Sequence, residues 1–491
     1  MTMRNCTEIM ADYRTIFFLI GMLLSALACG MLVPAFTEIL LDQPDWTVFI
    51  TAALITGFIA GALVLTNRGK LPPLSVRQAF LLTSGAWLAL TAFAALPFAF
   101  SGLGLSYTDA FFEAMSGLTT TGATIITELD EAPPGILLWR ALLQWFGGIG
   151  IIVMAISVLP MLNVGGMQLF RLESSDTSEK ILPRTAQIAG SITRLYFFIT
   201  ASCLLAYWLA GMSFFDAAAH AMTTIATGGF STRDASLGAF SAHTIEVVAI
   251  VFMLASSLPF VAYLQLTNRN FNAFWHDGQI RFFLAAAAAA TLIMWFYQIA
   301  TNTGTGATAA LRAAFNTVSI LTGTGFTTTD YSLWGPFAVS VFFILTFIGG
   351  CAGSTSCGLK IFRLQIILKS GWRYVKQVTQ PNGVFVIRYN GKLVDDKVAN
   401  SVIAFGLIFV LSFAGLAIIL ALIGLDTQTA LSAAAAAIAN VGPGLGPIVG
   451  PSGTYAPLPD TAKWVLSFGM LLGRLEFLTV LVLFAPSFWR R

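Results

Sequence analysis

The segment FEAMSGLTTTGAT at Phe112–Thr124 recurs three more times in weakened form, as HAMTTIATGGFS at His220–Ser231, NTVSILTGTGFT at Asn316–Thr327 and AAAAAIANVGPG at Ala433–Gly444. Aligned on Gly122, Gly229, Gly325 and Gly442, the copies stand roughly a hundred residues apart, each flanked by apolar runs of helix length. An internal repeat of this kind sets the architecture before any single residue does. Each copy holds about two to three turns of small and apolar residues and then a polar stretch containing glycine. Glycine opens positive φ and lets backbones approach closely, while threonine hydroxyls compete for backbone partners. The frame therefore predicts a short helix followed by an extended loop, four times over.

The chain has 491 residues, of which 57% are hydrophobic and only 10% charged, and its mean hydropathy is +0.80. Soluble proteins carry about 25% charged residues, so a polytopic membrane protein is expected. Runs long enough to cross about 30 Å of hydrocarbon fall near 15–38, 46–66, 77–101, 135–162, 190–212, 243–267, 280–300, 335–365, 398–424 and 463–487. That makes ten crossings. One short repeat sits between spans three and four and between each later pair, which reads as a re-entrant segment adding no crossing. The fold class expected is an all-α membrane protein of four pseudo-symmetric helix–loop–helix units around one central path. The divisions are an N-terminal hairpin over 1–70, repeats over 71–165, 185–268, 278–370 and 397–491, and a cytoplasmic connection over 371–396. No cleavage site follows the first apolar run, so it reads as a retained span. Cys6, Cys29, Cys203, Cys351 and Cys357 have no paired spacing and read as small hydrophobes.

Basic residues set the orientation. Arg68, Lys70 and Arg77 follow span two; Arg171, Lys180, Arg184 and Arg194 follow span four; Arg269 and Arg281 follow span six. Lys369, Arg373, Lys376, Arg388, Lys392 and Lys397 crowd one connection, and the sequence finishes with Arg490 and Arg491. Asp42, Asp45, Glu128, Asp130, Glu131, Asp234, Asp330 and Asp460 lie on the other side. The positive-inside rule then puts both termini in the cytoplasm and the four loops outside. The connection 366–397 reads as a bent helix and a hairpin turned by Asn-Gly, either a solvated linker beside lipid headgroups or a docking surface.

Backbone without its own hydrogen bonds is tolerated at membrane depth only inside protein or along water. Four such loops can present a ring of carbonyl oxygens that replaces a cation's hydration shell. The line of interest runs through Thr120, Thr121 and Gly122; Thr227, Gly228 and Gly229; Gly323, Thr324 and Gly325; and Asn440, Val441 and Gly442. Close helix packing through small residues explains any one copy, but not four in frame. Asp109 and Asp216 match near the starts of the first two short helices, where carboxylates cap amides and complement the dipole; Arg312 and Thr429 stand there in the other two. Glu113, His220 and Asn316 also share a position and read as side chains hydrogen-bonding behind the loops.

Span eight carries IGGCAGSTSCGLK at Ile348–Lys360, and so many Gly and Ser residues must interrupt a helix, since each Gly costs about 1 kcal/mol there. Arg474 sits with Glu476 inside Trp464–Phe484, where a central Arg costs about 2.5–3.5 kcal/mol and marks function. Against that stands a plain pair with Glu476 or a carbonyl, buried between helices. Their i, i+2 spacing turns the two side chains to different faces.

The motifs SGLTTTGAT (Ser116–Thr124), ATGGFST (Ala226–Thr232), LTGTGFTT (Leu321–Thr328) and NVGPGLG (Asn440–Gly446) resemble the four filter loops of the Trk/Ktr/HKT superfamily of potassium transporters. The likeness covers nearly the whole chain, in order, and is closest to the bacterial TrkH-type membrane subunit. It implies potassium uptake across the bacterial inner membrane through a channel-like pore, K+ held by filter carbonyls as the transported ion, and no covalent cofactor. Sodium-passing members have Ser at the position of Gly122, so Gly122 points to potassium. The resemblance also implies a gating loop built from Gly349, Gly350, Gly353, Ser354, Thr355 and Lys360, with Arg474 projecting beneath the filter, where its charge would retard cation leak or clamp the break in span eight. It further implies a homodimer surrounded by membrane lipid and a cytosolic nucleotide-binding regulatory subunit; no nucleic-acid partner is expected. No nucleotide-binding signature occurs in the chain itself. Two other readings stay open. A sodium- or proton-coupled symporter needs a second site, for which Glu113 and Glu476 are the available carboxylates. An intramembrane enzyme would use Gly353-Ser354 as a nucleophile turn, but His220, His243 and His276 give it no evident base.

Overall fold

Apolar runs with few charges can cross a bilayer only as helices that satisfy their own backbone, and the computed structural model is helical almost throughout. It describes residues 4–69, 74–157, 181–267, 271–302, 304 and 306–489. Lys70, Arg171, Lys180, Arg269, Arg490 and Arg491, together with the last part of span four and of the first repeat, lie outside the described residues, as does the side chain of Arg184.

Among the described residues seven helices are long and apolar enough to span: Tyr13–Leu40, Trp46–Asn67, Val76–Phe100, Pro134–Ile152, Gln187–Leu209, Gly278–Ala300 and Asp396–Ile423. Spans six and ten, expected as single runs, are bent pairs. His243–Ser256 and Phe260–Leu266 meet at 94°, and Asp460–Arg474 and Leu478–Phe484 at 110°. The first bend follows from Pro259, which cannot donate to a helix and clashes with the preceding turn. The second passes through Glu476 and Phe477, both in left-handed backbone at φ 62 and 43. Span eight stops at Phe347 and resumes as Ile361–Thr379. That second part is one 19-residue helix crossing the expected 370/371 boundary, with Ile361, Phe362 and Ile366 buried and Trp372, Tyr374 and Val378 exposed. Beyond it Arg388–Tyr389 pairs antiparallel with Lys392–Leu393, in the register Arg388 to Leu393. Asn390 and Gly391 turn the hairpin with φ 45 and 79, the positive pair a two-residue turn requires.

The first two helices lie against each other and against the first repeat, where buried Glu38 accepts the Gly135 amide at the start of Pro134–Ser157. Four short helices, Tyr107–Leu118, Phe214–Ile225, Gly306–Thr322 and Thr427–Ala439, stand where the repeat frame places them. Their caps correct one expectation. Ser106 and Ser213, not Asp109 and Asp216, accept the free amides, while each aspartate sits in the first turn and takes its serine's hydroxyl at 2.8 Å. Serine fits the cap because its short side chain reaches back to the amide three residues on; the aspartate is left to complement the dipole and find a cation. Asp109 finds Lys463, and Asp216 finds Arg233 at 3.3 Å. Ser213→Ala is expected to cost about 1 kcal/mol, read as a lowered melting temperature of the detergent-solubilised protein, because the Asp216 amide then loses its partner.

Candidate functional site

Each short helix ends the same way. The amides of Thr120, Thr227, Gly323 and Asn440 donate to carbonyls three residues back, at 3.0, 3.0, 3.0 and 3.3 Å. The amides of Thr121, Gly228, Thr324 and Val441 donate to carbonyls five residues back, at 2.9, 2.9, 3.0 and 3.0 Å. This is the Schellman arrangement, which places its first residue in the left-handed region. The φ values there are 53, 52, 75 and 54. Glycine or asparagine suits such a place, and Gly323 and Asn440 follow that rule. Thr120 and Thr227 are β-branched and adopt it at a cost, which marks the site as constrained by more than helix termination.

Two residues on, Gly122, Gly229, Gly325 and Gly442 are again left-handed, at φ 84, 75, 82 and 57, while the residues between are not. Alternating the sign of φ turns over every second peptide, so successive carbonyls favour one side instead of alternating sides. The glycines also fix how the loops meet. A Cβ built on Gly122 would fall 2.2 Å from Gly228 O, one on Gly229 2.0 Å from Thr324 O, one on Gly325 3.1 Å from Val441 O, and one on Gly442 2.8 Å from Thr121 O. Each loop thus lays its glycine against the preceding carbonyl of the next, and the fourth returns to the first. Four loops in one closed ring, with their glycines lining one shared cleft, are the geometric core of the molecule.

Side chains behind the ring hold each loop to its own helix. Glu113 accepts from Thr124 Oγ1 at 3.0 Å and from the Ile125 amide at 2.8 Å. His220 Nε2 lies 2.9 Å from Ser231 Oγ, and Asn316 Nδ2 donates to Thr328 Oγ1 at 3.0 Å. The fourth repeat has Ala433 in that frame, and Ser432 takes the Leu445 amide in its place. Several residues here were not singled out from the sequence. Gln144 donates to Gly228 O at 2.6 Å and accepts from the Phe230 amide at 3.1 Å. Tyr455 donates to Gly442 O at 2.9 Å. Arg140 pairs with Glu113 at 2.8 Å, both fully buried. Arg140 and Gln144 carried a readable signal, being polar residues inside an apolar span; Tyr455 carried none.

The segment of span eight between its two helices folds against the ends of the ring. It closes on itself through Gly349 N to Leu359 O and Leu359 N to Phe347 O, each 3.0 Å. It docks into the bend of span six: the Cys351 amide donates to Ser257 O at 2.9 Å, the Phe260 amide to Gly353 O at 2.9 Å, and Thr355 Oγ1 to Ser256 O at 3.1 Å. The Gly350 amide donates to Ser356 Oγ at 2.8 Å, Ser354 donates to Cys351 O at 2.6 Å, and Lys360 donates to Ser356 O. Cys357 Sγ reaches within 3.9 Å of Thr120 Oγ1, so the loop touches the first residue of the ring. Arg474, almost fully buried, clamps it from the other side, donating to Thr355 O at 3.2 Å, to the Cys357 sulfur, and to Gly147 O at 2.8 Å. Glu476 pairs with Arg363 instead. Arg474 thus bonds two carbonyls and a sulfur on two elements, the segment of span eight and the Pro134–Ser157 helix, rather than Glu476.

The sequence profile of the TrkH family, described as a cation transport protein, matches residues 47–491. The potassium uptake protein TrkI of the Trk system of Halomonas elongata is 43% identical over 493 residues, covering 99% of both chains. The corresponding TrkH of Salmonella typhimurium is 38% identical over 97% of this chain and 99% of its own. The crystal structure of the potassium transporter TrkH from Vibrio parahaemolyticus superposes with a TM-score of 0.90 at 36% identity, covering 98% of this chain and all of that one.

Proposed function

This chain belongs to the TrkH family of cation transport proteins, and from that premise we propose that it takes up potassium across the bacterial inner membrane through a channel-like pore. The observation that carries the reading is the closed ring of Gly122, Gly229, Gly325 and Gly442, each against the next loop's carbonyl. Such a ring offers oxygens from all sides to a dehydrated cation without charging the site, which suits a monovalent ion that must also leave. The ion-holding residues are the twelve of the loop line, from Thr120–Gly122 to Asn440–Gly442. The 348–360 segment with Arg474 is the gate, because it interrupts a span, reaches Thr120 of the ring through Cys357 and is tied to the helix of the first repeat by one side chain, Arg474.

The membrane potential drives uptake. Glu113 and Glu476, the carboxylates a coupled symporter would draw on, are committed to Arg140 and Arg363, which favours the uncoupled reading. Ser354 is bound to a carbonyl of its own loop and His220 to Ser231 and Asp216 O, so the nucleophile-turn reading has no support. Both termini lie in the cytoplasm, with the repeat loops outside. The exposed face of Ile361–Thr379 and the hairpin beyond it form the docking surface for a cytosolic nucleotide-binding regulatory subunit, and two copies of the chain pair in the lipid. Purified protein in a planar bilayer, with potassium on one side and sodium on the other, is expected to reverse near the potassium equilibrium potential. A reversal near zero would remove the reading.

A further inference from the structure

A guanidinium buried in a span is retained against its insertion cost only where it faces protein and is fully employed. Arg140 is 1% exposed and spends its fork on two neighbouring loops. Its Nε pairs with Glu113, its Nη2 donates to Thr124 Oγ1 at 3.1 Å, and its Nη1 donates to Ser231 O at 2.7 Å. Thr124 lies two residues after Gly122 and Ser231 two after Gly229, so one planar group bridges the same position in loops one and two. Phe230, between Gly229 and Ser231 in the second loop, lies under the guanidinium with its ring centre at 4.0 Å. One turn further along the same helix, Gln144 holds loop two again through Gly228 O and the Phe230 amide. Repeats three and four have Asn316 and Ala433 where repeat one has Glu113, so the ion pair belongs to one side of the ring only.

We infer that the Glu113–Arg140 pair is a specificity-determining positioning pair: it sets the gap between the first and second loops and thereby the ring's discrimination of potassium from sodium. This rests on the reading of the ring as the ion-selective element. Charge-assisted bonds to both loops fix their separation more tightly than neutral contacts would, and a buried network so satisfied resists relaxation around a smaller ion. Lysine cannot replace the fork, since its single ammonium reaches Glu113 or a loop oxygen but not all three acceptors in one plane.

The test compares purified wild type, Arg140→Lys and Phe230→Leu under opposed potassium and sodium. Arg140→Lys keeps the charge beside Glu113, and its potassium-to-sodium permeability ratio is expected to fall on the order of tenfold. Phe230→Leu removes only the stacking face, and its ratio should fall in the same direction by less; it carries the test where Arg140→Lys yields no folded protein. A purely structural role would lower melting temperature or yield and leave the ratio of the folded fraction unchanged. That result in whichever variant folds overturns the inference. A wild type that is itself unselective would instead remove the reading of the ring.

Discussion

Gly122→Ser is expected to move the reversal potential most of the way from the potassium value toward zero, a loss of about a hundredfold in permeability ratio, or about 2.8 kcal/mol at about 1.4 kcal/mol per decade. Two costs combine at this residue. Its φ of 84 is one that an L side chain adopts at about 1–2 kcal/mol. Its Cβ would also stand 2.2 Å from Gly228 O, far inside contact distance. That oxygen cannot simply retreat, because Gln144 holds it at 2.6 Å and also binds the Phe230 amide. The distortion therefore falls on the ring opening. The four glycines are ranked by the same geometry: Gly229, with Thr324 O at 2.0 Å, should be as sensitive as Gly122, whereas Gly442 and Gly325 have their nearest neighbours at 2.8 Å and should lose less. Unchanged selectivity in Gly122→Ser and Gly229→Ser, with folded protein, would mean that ions are sorted elsewhere.

The helical membrane architecture was legible because composition and run length leave few options, and the short helices because glycine recurs in frame. What the sequence hid depends on contacts far apart in the chain. Pro259 lay in plain view and should have broken span six; the length of the apolar run 243–267 masked it. The turn at Glu476 and Phe477 has no breaker residue at all, and its left-handed backbone goes with an Arg363–Glu476 pair from segments more than a hundred residues apart. The caps were misassigned between neighbours because Ser and Asp both favour helix starts, and only geometry shows which accepts the amide. Among the residues behind the ring, Glu113, His220 and Asn316 announced themselves by frame. Arg140 was readable as a buried charge but its two-loop reach was not, and Ser432 substitutes for Ala433 one position out of frame.

Arg474→Gln is expected to raise potassium flux in the absence of any cytosolic partner by at least about tenfold while leaving the reversal potential at the wild-type value. The guanidinium reaches Thr355 O, Cys357 and Gly147 O at once, so it ties the intramembrane loop to the helix of the first repeat. Without it the loop remains fastened on the other side, through Cys351 and Thr355 to Ser257 and Ser256. It is then free to swing about that attachment rather than to unfold. Selectivity should persist because none of the four ring glycines is touched. Charge works in the same direction, since a positive group 4 Å from a passing cation opposes it by about 4 kcal/mol at an effective dielectric of 20. Arg474→Lys separates the two causes. If the clamp governs, lysine behaves like glutamine, because a single ammonium cannot hold three acceptors in different directions. If charge governs, lysine keeps flux near wild type. Flux that falls in both variants, in protein that is folded and selective, would show that Arg474 holds the path open and would assign the gate to another part of the molecule.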